Sequence, residues 1–213
     1  MISWKLVQKA KQILEKERGT VHKPWGGKIS VCLIYPNFYH VGMSNLGFQT
    51  LYQLLNSEED VVCERAFLPD QEDLQEFYST QTLIFSLESQ KPLSDFDILA
   101  FSISFENDFV NVLTVLNLAR IPMERRLRDS AYPLVIAGGV AVFLNPEPLS
   151  EFFDLFVLGE AEEVIKEFLD VCRNVFEKNG KEDKDDFLRR LAGVEGIYLP
   201  KFYHVNYTED GKI

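Results

Sequence analysis

ISVCLIYPNFYHVGMSNLGFQTLYQLL, residues 29–55, is the stretch of sequence that decides the fold. Its mostly apolar run, residues 29–35, predicts a buried β-strand that ends before Pro36. Its amphipathic end, residues 46–55, predicts a helix. The polar loop between them, residues 37–45, lies where open α/β sheets hold their ligands, after a first parallel strand. The stretch therefore predicts either a ligand-binding loop or a tight strand-to-helix turn without a ligand.

The rest of the chain alternates between strand and helix patterns. Further strands are predicted at 61–67, 96–104, 132–137 and 154–158, and further helices at 3–18, 70–78, 106–119 and 161–176. The short apolar run 82–87 predicts an extra strand or an arm. This alternation is typical of a parallel sheet with right-handed crossovers, so we expect a doubly wound α/β fold of the flavodoxin-like or Rossmann-like kind. The strands 29–35, 97–103, 133–137 and 154–158 should be parallel neighbours, with 61–67 added at one side.

Changes in composition divide the chain into three predicted parts. Residues 1–26 form an N-terminal helical arm, and residues 27–176 form the α/β domain. Residues 177–213 begin with a charge-dense stretch, 177–186, that predicts an exposed link. Short strands are expected at 196–200 and 202–205, and the final residues 210–213 carry a hairpin-turn signal without a second strand. We therefore expect this chain to be a shortened polypeptide.

Charge and cysteine content exclude several classes of function. The formal net charge is −11, although residues 1–30 carry seven basic and only two acidic side chains. An acidic body argues against nucleic acid as a partner, because phosphate binding needs clustered Lys and Arg. No apolar run of about 20 residues and no signal-peptide pattern is present, so we expect no membrane partner and a cytoplasmic location. The widely spaced Cys32, Cys63 and Cys172 suggest neither disulfides nor a metal cluster.

Four loops should converge at the carboxyl edge of the predicted sheet. They are residues 37–45, 102–107, 138–148 and 159–163. Glycines let the backbone approach a ligand closely, and Ser44 or Asn45 can cap the following helix. The glutamates at 160–163 can equally serve only to complement a helix dipole. Together, the small, hydroxyl and glycine residues in these loops leave room for a large flat or elongated ligand.

Ordered motifs occur along residues 25–210. They are YPNFYHVGMSNLG at 35–47, ERAF at 64–67, SLES at 86–89, FDILAFS at 96–102, AGG at 137–139, NPEP at 145–148 and LGEAE at 158–162. In this order, they resemble the motifs of cobalamin-binding-type radical SAM proteins, and the chain is most similar to an uncharacterised branch of that superfamily. The resemblance implies a cobalamin-binding-type N-terminal domain that positions a corrin for a separate catalytic barrel.

Two departures from the family pattern shape this expectation. The chain has no Cys-x-x-x-Cys-x-x-Cys motif, so the iron–sulfur cluster and S-adenosylmethionine would belong to a missing C-terminal radical SAM domain of the same polypeptide. Many cobalamin domains carry Asp-x-His-x-x-Gly, whose histidine binds cobalt, whereas this chain has Asn37, Tyr39 and Gly42 at those positions. A neutral phenol is a poor cobalt ligand, and the neighbouring His40 should point elsewhere. Any cobalamin is therefore expected to have no histidine ligand on cobalt.

The leading hypothesis is an accessory domain that grips a corrin over the sheet edge and has no catalysis of its own. Ser102, Ser104, Gly138 and Gly139 would line a slot for the nucleotide tail, and the loop 39–44 would face cobalt. The alternatives are a cofactor-free module that docks the missing barrel, and a flavin- or nucleotide-binding flavodoxin-like domain. The full set of predicted cofactor-binding residues is Asn37, Tyr39, His40, Val41, Gly42, Ser44, Asn45, Ser102, Ser104, Glu106, Gly138, Gly139, Asn145 and Glu160.

Overall fold

A six-stranded sheet flanked by helices on both faces forms the body of the protein. The computed structural model describes residues 2–176, 183–203 and 208. The strands are β1 (Ile29–Tyr35), β2 (Val61–Phe67), β3 (Ile98–Ser102), β4 (Leu134–Gly138), β5 (Leu155–Val157) and β6 (Ile197–Tyr198). The α-helices are α1 (Trp4–Leu14), α2 (Tyr39–Met43), α3 (Leu46–Ser57), α4 (Gln71–Thr80), α5 (Phe109–Leu118), α6 (Val140–Leu144), α7 (Ala161–Phe176) and α8 (Lys184–Leu191).

The strand order is β2-β1-β3-β4-β5-β6. The first five strands are parallel, and β6 pairs with β5 in the antiparallel direction. The chain order reverses between β1 and β3, which are hydrogen-bonded neighbours although β2 lies between them in sequence. Ligands of doubly wound folds bind outside the carboxyl ends of the strands near such a reversal.

Side chains that alternate along each strand divide the core into two layers. Cys32, Ile34 and Phe101 belong to the layer under α5. Leu33 and Ala100 belong to the opposite layer, which α3, α7 and α8 cover. Because both faces are covered, the strands are almost continuously apolar, as expected for a parallel sheet.

The structure confirms the predicted doubly wound α/β fold. The strands predicted at 29–35 and 61–67 have the predicted bounds, and the expected parallel order is present. The run 82–87 is not a strand of the sheet but an arm, which forms an antiparallel bridge between Phe85 and Pro92 and also donates the Leu87 N–H to the Arg65 carbonyl at 2.6 Å.

Local expectations were wrong in four places. The loop 138–148 contains the short helix α6. The loop 37–45 contains the short helix α2, since Gly42 lets the chain pack directly against Phe67. The helix expected from residue 106 begins with a 3₁₀ turn over Glu106–Asp108, and α5 follows from Phe109. The helix expected over 3–18 ends at Leu14.

The C-terminal part also departs from expectation. Residues 184–186 are not an exposed link, because they open α8 and the Lys184 ammonium lies 3.0 Å from the Asp154 carboxylate. The strand expected at 196–200 is β6, whereas Phe202 lies in a 3₁₀ turn. The remainder of the predicted link, 177–182, the second half of the strand 202–205 and the turn 210–213 lie outside the described residues. None of the helices in the described part of the chain is both long and apolar enough to span a membrane.

Candidate functional site

A groove of about 340 Å³ opens at the carboxyl edge of the sheet, between α3 and α7. Its floor is the face of the central strands, with Leu33 of β1, Ala100 of β3 and Ile136 of β4. Apolar side chains of the two helices form its walls. The wall residues are Leu51, Leu54, Leu55, Val164, Ile165 and Phe168. The groove interior is therefore apolar and lies directly beside the β1–β3 reversal.

Polar groups are concentrated at the mouth of this groove. Ser102 ends β3, Ser104 follows it, and Asn45 precedes α3. The Asn45 amide nitrogen donates to the Ser104 hydroxyl at 3.2 Å, and its Oδ1 accepts from the Phe48 N–H at 2.9 Å. Of the two residues predicted as possible caps, Ser44 and Asn45, Asn45 is therefore the N-cap of α3. A single side chain fixes both the start of the helix and one side of the groove mouth.

Gly138 and Gly139 line the groove, but neighbouring backbone already explains the glycine at 139. Gly139 has φ +105°, and a Cβ there would lie 2.5 Å from the Ile103 carbonyl oxygen. A Cβ at 138 would lie 3.4 Å from the Val157 carbonyl oxygen. The contact at 138 is an ordinary one, whereas a side chain at 139 would clash with the turn after β3, so the packing of the sheet edge requires glycine at 139 only.

The structure brings six of the predicted site residues together at this groove. They are Asn45, Ser102, Ser104, Gly138, Gly139 and Glu160. The groove residues on α3 and α7 were not singled out from the sequence. Their spacing is that of any amphipathic helix packed on a sheet, so the sequence carried no signal that separates a groove wall from a closed core.

The remaining predicted residues lie elsewhere. Asn37 donates its amide to the Asp108 carboxylate at 2.7 Å, and the Ser44 hydroxyl donates to the carbonyls of His40 and Val41. Gly42 is buried against Phe67, and Val41 packs on the core layer beneath α3. Glu106 and Asn145 are exposed and do not line the first groove.

Tyr39 and His40 line a second groove on the opposite face of the sheet. This groove, of about 480 Å³, lies between α1, α2 and α4. Lys9 of α1 forms ion pairs at its rim with Asp70 and Asp73. The short helix α2 therefore directs the residues at positions 39 and 40 away from the first groove.

A buried charge network holds Tyr39 in this position. The Tyr39 hydroxyl donates to Glu17 at 2.6 Å, and the Arg65 guanidinium donates to the other Glu17 oxygen at 2.6 Å. Arg65 also donates to Glu88 at 2.6 Å and lies 4.6 Å from the centre of the Tyr52 ring. Burial raises the pKa of Glu88 even though Arg65 opposes it. Burial alone would raise the pKa of Glu17, but the hydrogen bonds from Arg65 and Tyr39 bring it below the ordinary value.

Asp108 is another buried carboxylate, and its contacts lie near the carboxyl edge. Its Oδ1 accepts from the amides of Asn37 and Asn111, and within the described part of the chain its Oδ2 has no hydrogen-bond partner. Burial raises the pKa of Asp108, although the two amides act in the opposite direction. The contacts of Asp108 join the turn after β1 to α5.

Large apolar side chains are exposed on the loops and helix starts that follow β1, β3 and β4. They include Leu46 at the start of α3, 77% exposed, and Leu144 in α6, 72% exposed. The others are Phe38, Phe105, Val110, Val140 and Phe143. Val140 also lines the first groove. Exposed apolar surface of this kind is typical of a contact site.

Cys32, Cys63 and Cys172 are buried free cysteines, as expected of small apolar core residues. Burial raises the pKa of all three thiols. No group of three potential metal ligands occurs within residues 2–176 and 183–203 or at 208.

Comparisons with known proteins place the chain in a family. Residues 47–200 match the family model described as the N-terminal region of radical SAM proteins. The chain is 26% identical over 161 residues to an uncharacterised protein of Methanocaldococcus jannaschii, a match that covers 73% of this chain and 30% of that protein. The chain thus spans about a third of the length of this relative. No solved structure matches this chain. On the extent of the family match, this chain belongs to the family of radical SAM protein N-terminal regions.

Proposed function

We propose that this N-terminal region is an accessory domain that binds cobalamin at the carboxyl edge of its sheet. The nucleotide tail would enter the groove between α3 and α7, and the corrin would lie over the loops that follow the strands. The observation that carries the proposal is the groove itself, an apolar space of about 340 Å³ beside the β1–β3 reversal. Its place at the carboxyl edge beside this reversal, where doubly wound folds bind ligands, distinguishes it from the larger groove on the opposite face and supports a ligand here.

The residues of the groove fit such a tail chemically. The apolar walls from α3 and α7 suit an uncharged aromatic base, which gains by leaving water. At the mouth, Ser102, Ser104 and Asn45 offer hydroxyl and amide groups to ribose oxygens. Ligand pockets typically combine an apolar lining with a few polar groups that fix orientation.

The contacts of Tyr39 support cobalt without a histidine ligand. The Tyr39 hydroxyl is bonded to Glu17, and His40 lines the second groove with Tyr39. Neither Tyr39 nor His40 lines the proposed tail groove. When bound, cobalamin would supply methyl or other group-transfer chemistry to the radical SAM protein. This chain's own part would be to hold and orient the cofactor, and the iron–sulfur cluster and S-adenosylmethionine would belong to a C-terminal radical SAM domain.

A pair of alanines on opposite faces of the sheet allows a matched test. Ala100 of β3 lines the first groove, whereas Ala66 of β2 lines the second. We expect hydroxocobalamin to remain with the wild-type chain through desalting and to give a cobalamin spectrum. Ala100→Phe should lower its affinity at least tenfold, because the ring fills the floor of the tail groove. Ala66→Phe should leave the affinity within about twofold, because its ring fills the other groove.

Thermal unfolding of both variants serves as the control for folding. Equal loss of cobalamin in two folded variants would contradict the location. Absence of binding by the wild-type chain, repeated with the radical SAM domain attached, would contradict the proposal.

The exposed apolar residues at the same edge favour a second candidate function, docking of the radical SAM domain without a cofactor. Leu46, Phe143 and Leu144 offer the apolar surface that such a contact requires. In that case, the attached domain would bind this region whether or not cobalamin is present. Binding of hydroxocobalamin to the chain would support the first candidate function, and its absence would support the second.

A further inference from the structure

The charges around the α3–α7 groove carry a further inference about its ligand. Among the described residues that line this groove, the charged ones are Glu160 and Glu162, and none is Lys, Arg or His. Both side chains are exposed at the start of α7, next to the groove mouth. The mouth is thus acidic, while the interior is apolar.

This arrangement is the reverse of a phosphate site. Proteins bind phosphate with backbone N–H groups at a helix N-terminus, usually together with Lys or Arg. The N-terminus of α7 carries a partial positive charge of about half a unit. Two full negative charges at Glu160 and Glu162 outweigh it, and the net charge of −11 adds to the repulsion of anions.

We infer that the groove selects an uncharged nucleoside-like ligand and rejects the corresponding nucleotide phosphate. Glu160 and Glu162 are the residues that set this selectivity. The inference rests on the proposed function in so far as it takes the groove as a ligand site. It argues against the flavin mononucleotide alternative, because that ligand carries a phosphate dianion. Cobalamin remains compatible, since the phosphodiester of its tail carries a single negative charge, whereas a phosphate monoester carries close to two at neutral pH.

A neutral and an anionic ligand with the same base provide the test. The probes are α-ribazole, the ribonucleoside of dimethylbenzimidazole, and its monophosphate, titrated calorimetrically at low salt. We expect α-ribazole to bind the wild-type chain about tenfold more tightly than its monophosphate. In the double variant Glu160→Gln/Glu162→Gln the ratio should fall to about twofold or less. Raising the salt to about 0.5 M should also reduce the wild-type ratio, because the carboxylates are exposed.

The control removes the same charge from elsewhere. Glu59 and Glu167 are exposed and do not line the groove. Glu59→Gln/Glu167→Gln should therefore keep most of the wild-type ratio. If this control lowers the ratio as much as Glu160→Gln/Glu162→Gln does, net charge rather than the groove mouth sets the selectivity, and the assignment to these two residues falls.

The remaining outcomes separate the inference from the proposed function. Preference for α-ribazole without hydroxocobalamin binding would support the inference and contradict the cobalamin proposal. If hydroxocobalamin binds and the two probes bind with equal affinity, the cobalamin proposal is supported and the inference is contradicted. Failure of α-ribazole to bind, or tighter binding of the monophosphate, would overturn the inference.

Discussion

Glu17 links the N-terminal segment to the sheet through a charge network that is almost inaccessible to solvent. The side chains of Arg65 and Glu17 are 3% and 7% exposed, and their closest atoms are 2.6 Å apart. Arg65 also pairs with Glu88, so one cation serves two carboxylates. Removing one partner from a buried ion pair is costly because the other charge stays behind. The network therefore fixes the chain after α1 and, through the Tyr39 hydroxyl, the orientation of α2.

Glu17→Gln should lower the free energy of unfolding by about 3 kcal/mol at neutral pH. The pKa of Glu17 is lowered in the folded state, so its contribution is present above the ordinary pKa and is lost as the pH falls through the lowered value. The wild type and the variant should therefore converge in acid. Urea unfolding between about pH 7 and pH 3 measures this difference, with the exposed Glu15→Gln as control. A difference that stays constant over that range would contradict the role of the ionised carboxylate.

At the scale of elements, the turn from β4 into α6 shapes one side of the tail groove. Gly139 supplies the positive φ, and Ile103 accepts the Ala141 N–H at 3.2 Å. Ile103 in turn donates its N–H to Gly138 at 2.9 Å. The ends of β3 and β4 are thus tied together where the groove opens.

Gly139→Ala should destabilise the protein by about 3 kcal/mol, because the new methyl group meets the Ile103 backbone and an L-residue is strained at this φ. Gly26→Ala is the control, since a Cβ there meets no atom within 4 Å and its φ is not positive. That variant should change the stability by less than about 0.5 kcal/mol. Equal urea midpoints for the two variants would contradict this account of the turn.

Elements with strong local patterns were predictable, and those held by distant contacts were not. The strands β1 and β2 were predicted to the residue, because β1 is a mostly apolar run that ends at Pro36 and β2 has apolar residues on both sides of Glu64 and Arg65. The helix α2 was missed because its five residues include Gly42, which packs against Phe67 of β2. No local signal reports such a contact.

The prediction of the site was limited in the same way, because parts of the site also depend on contacts between distant residues. The carboxyl edge was predicted, since topology brings the strand ends together. The sequence did not predict that Asn45 lines the first groove while Tyr39 lines the second, because this difference depends on the orientation of the short helix α2. Leu51, Leu54 and Val164 read as ordinary core positions, and only the spacing between α3 and α7 makes them groove walls.

At the scale of the whole molecule, each face of the sheet carries one groove. One face carries the proposed tail groove between α3 and α7, and the other carries the groove beneath α1 that Tyr39 and His40 line. The exposed apolar residues lie on loops and helix starts at the carboxyl edge. In the proposed function, the corrin would lie at this edge, where a radical SAM domain can reach it.

Amide hydrogen exchange with and without hydroxocobalamin tests this claim most directly, because it locates the ligand on the whole protein. The account predicts slower exchange in residues 102–104, 138–140 and 159–162 at the groove mouth, with little change in residues 66–70 at the second groove. Unchanged exchange at the groove mouth, or protection confined to residues 66–70, would contradict the account.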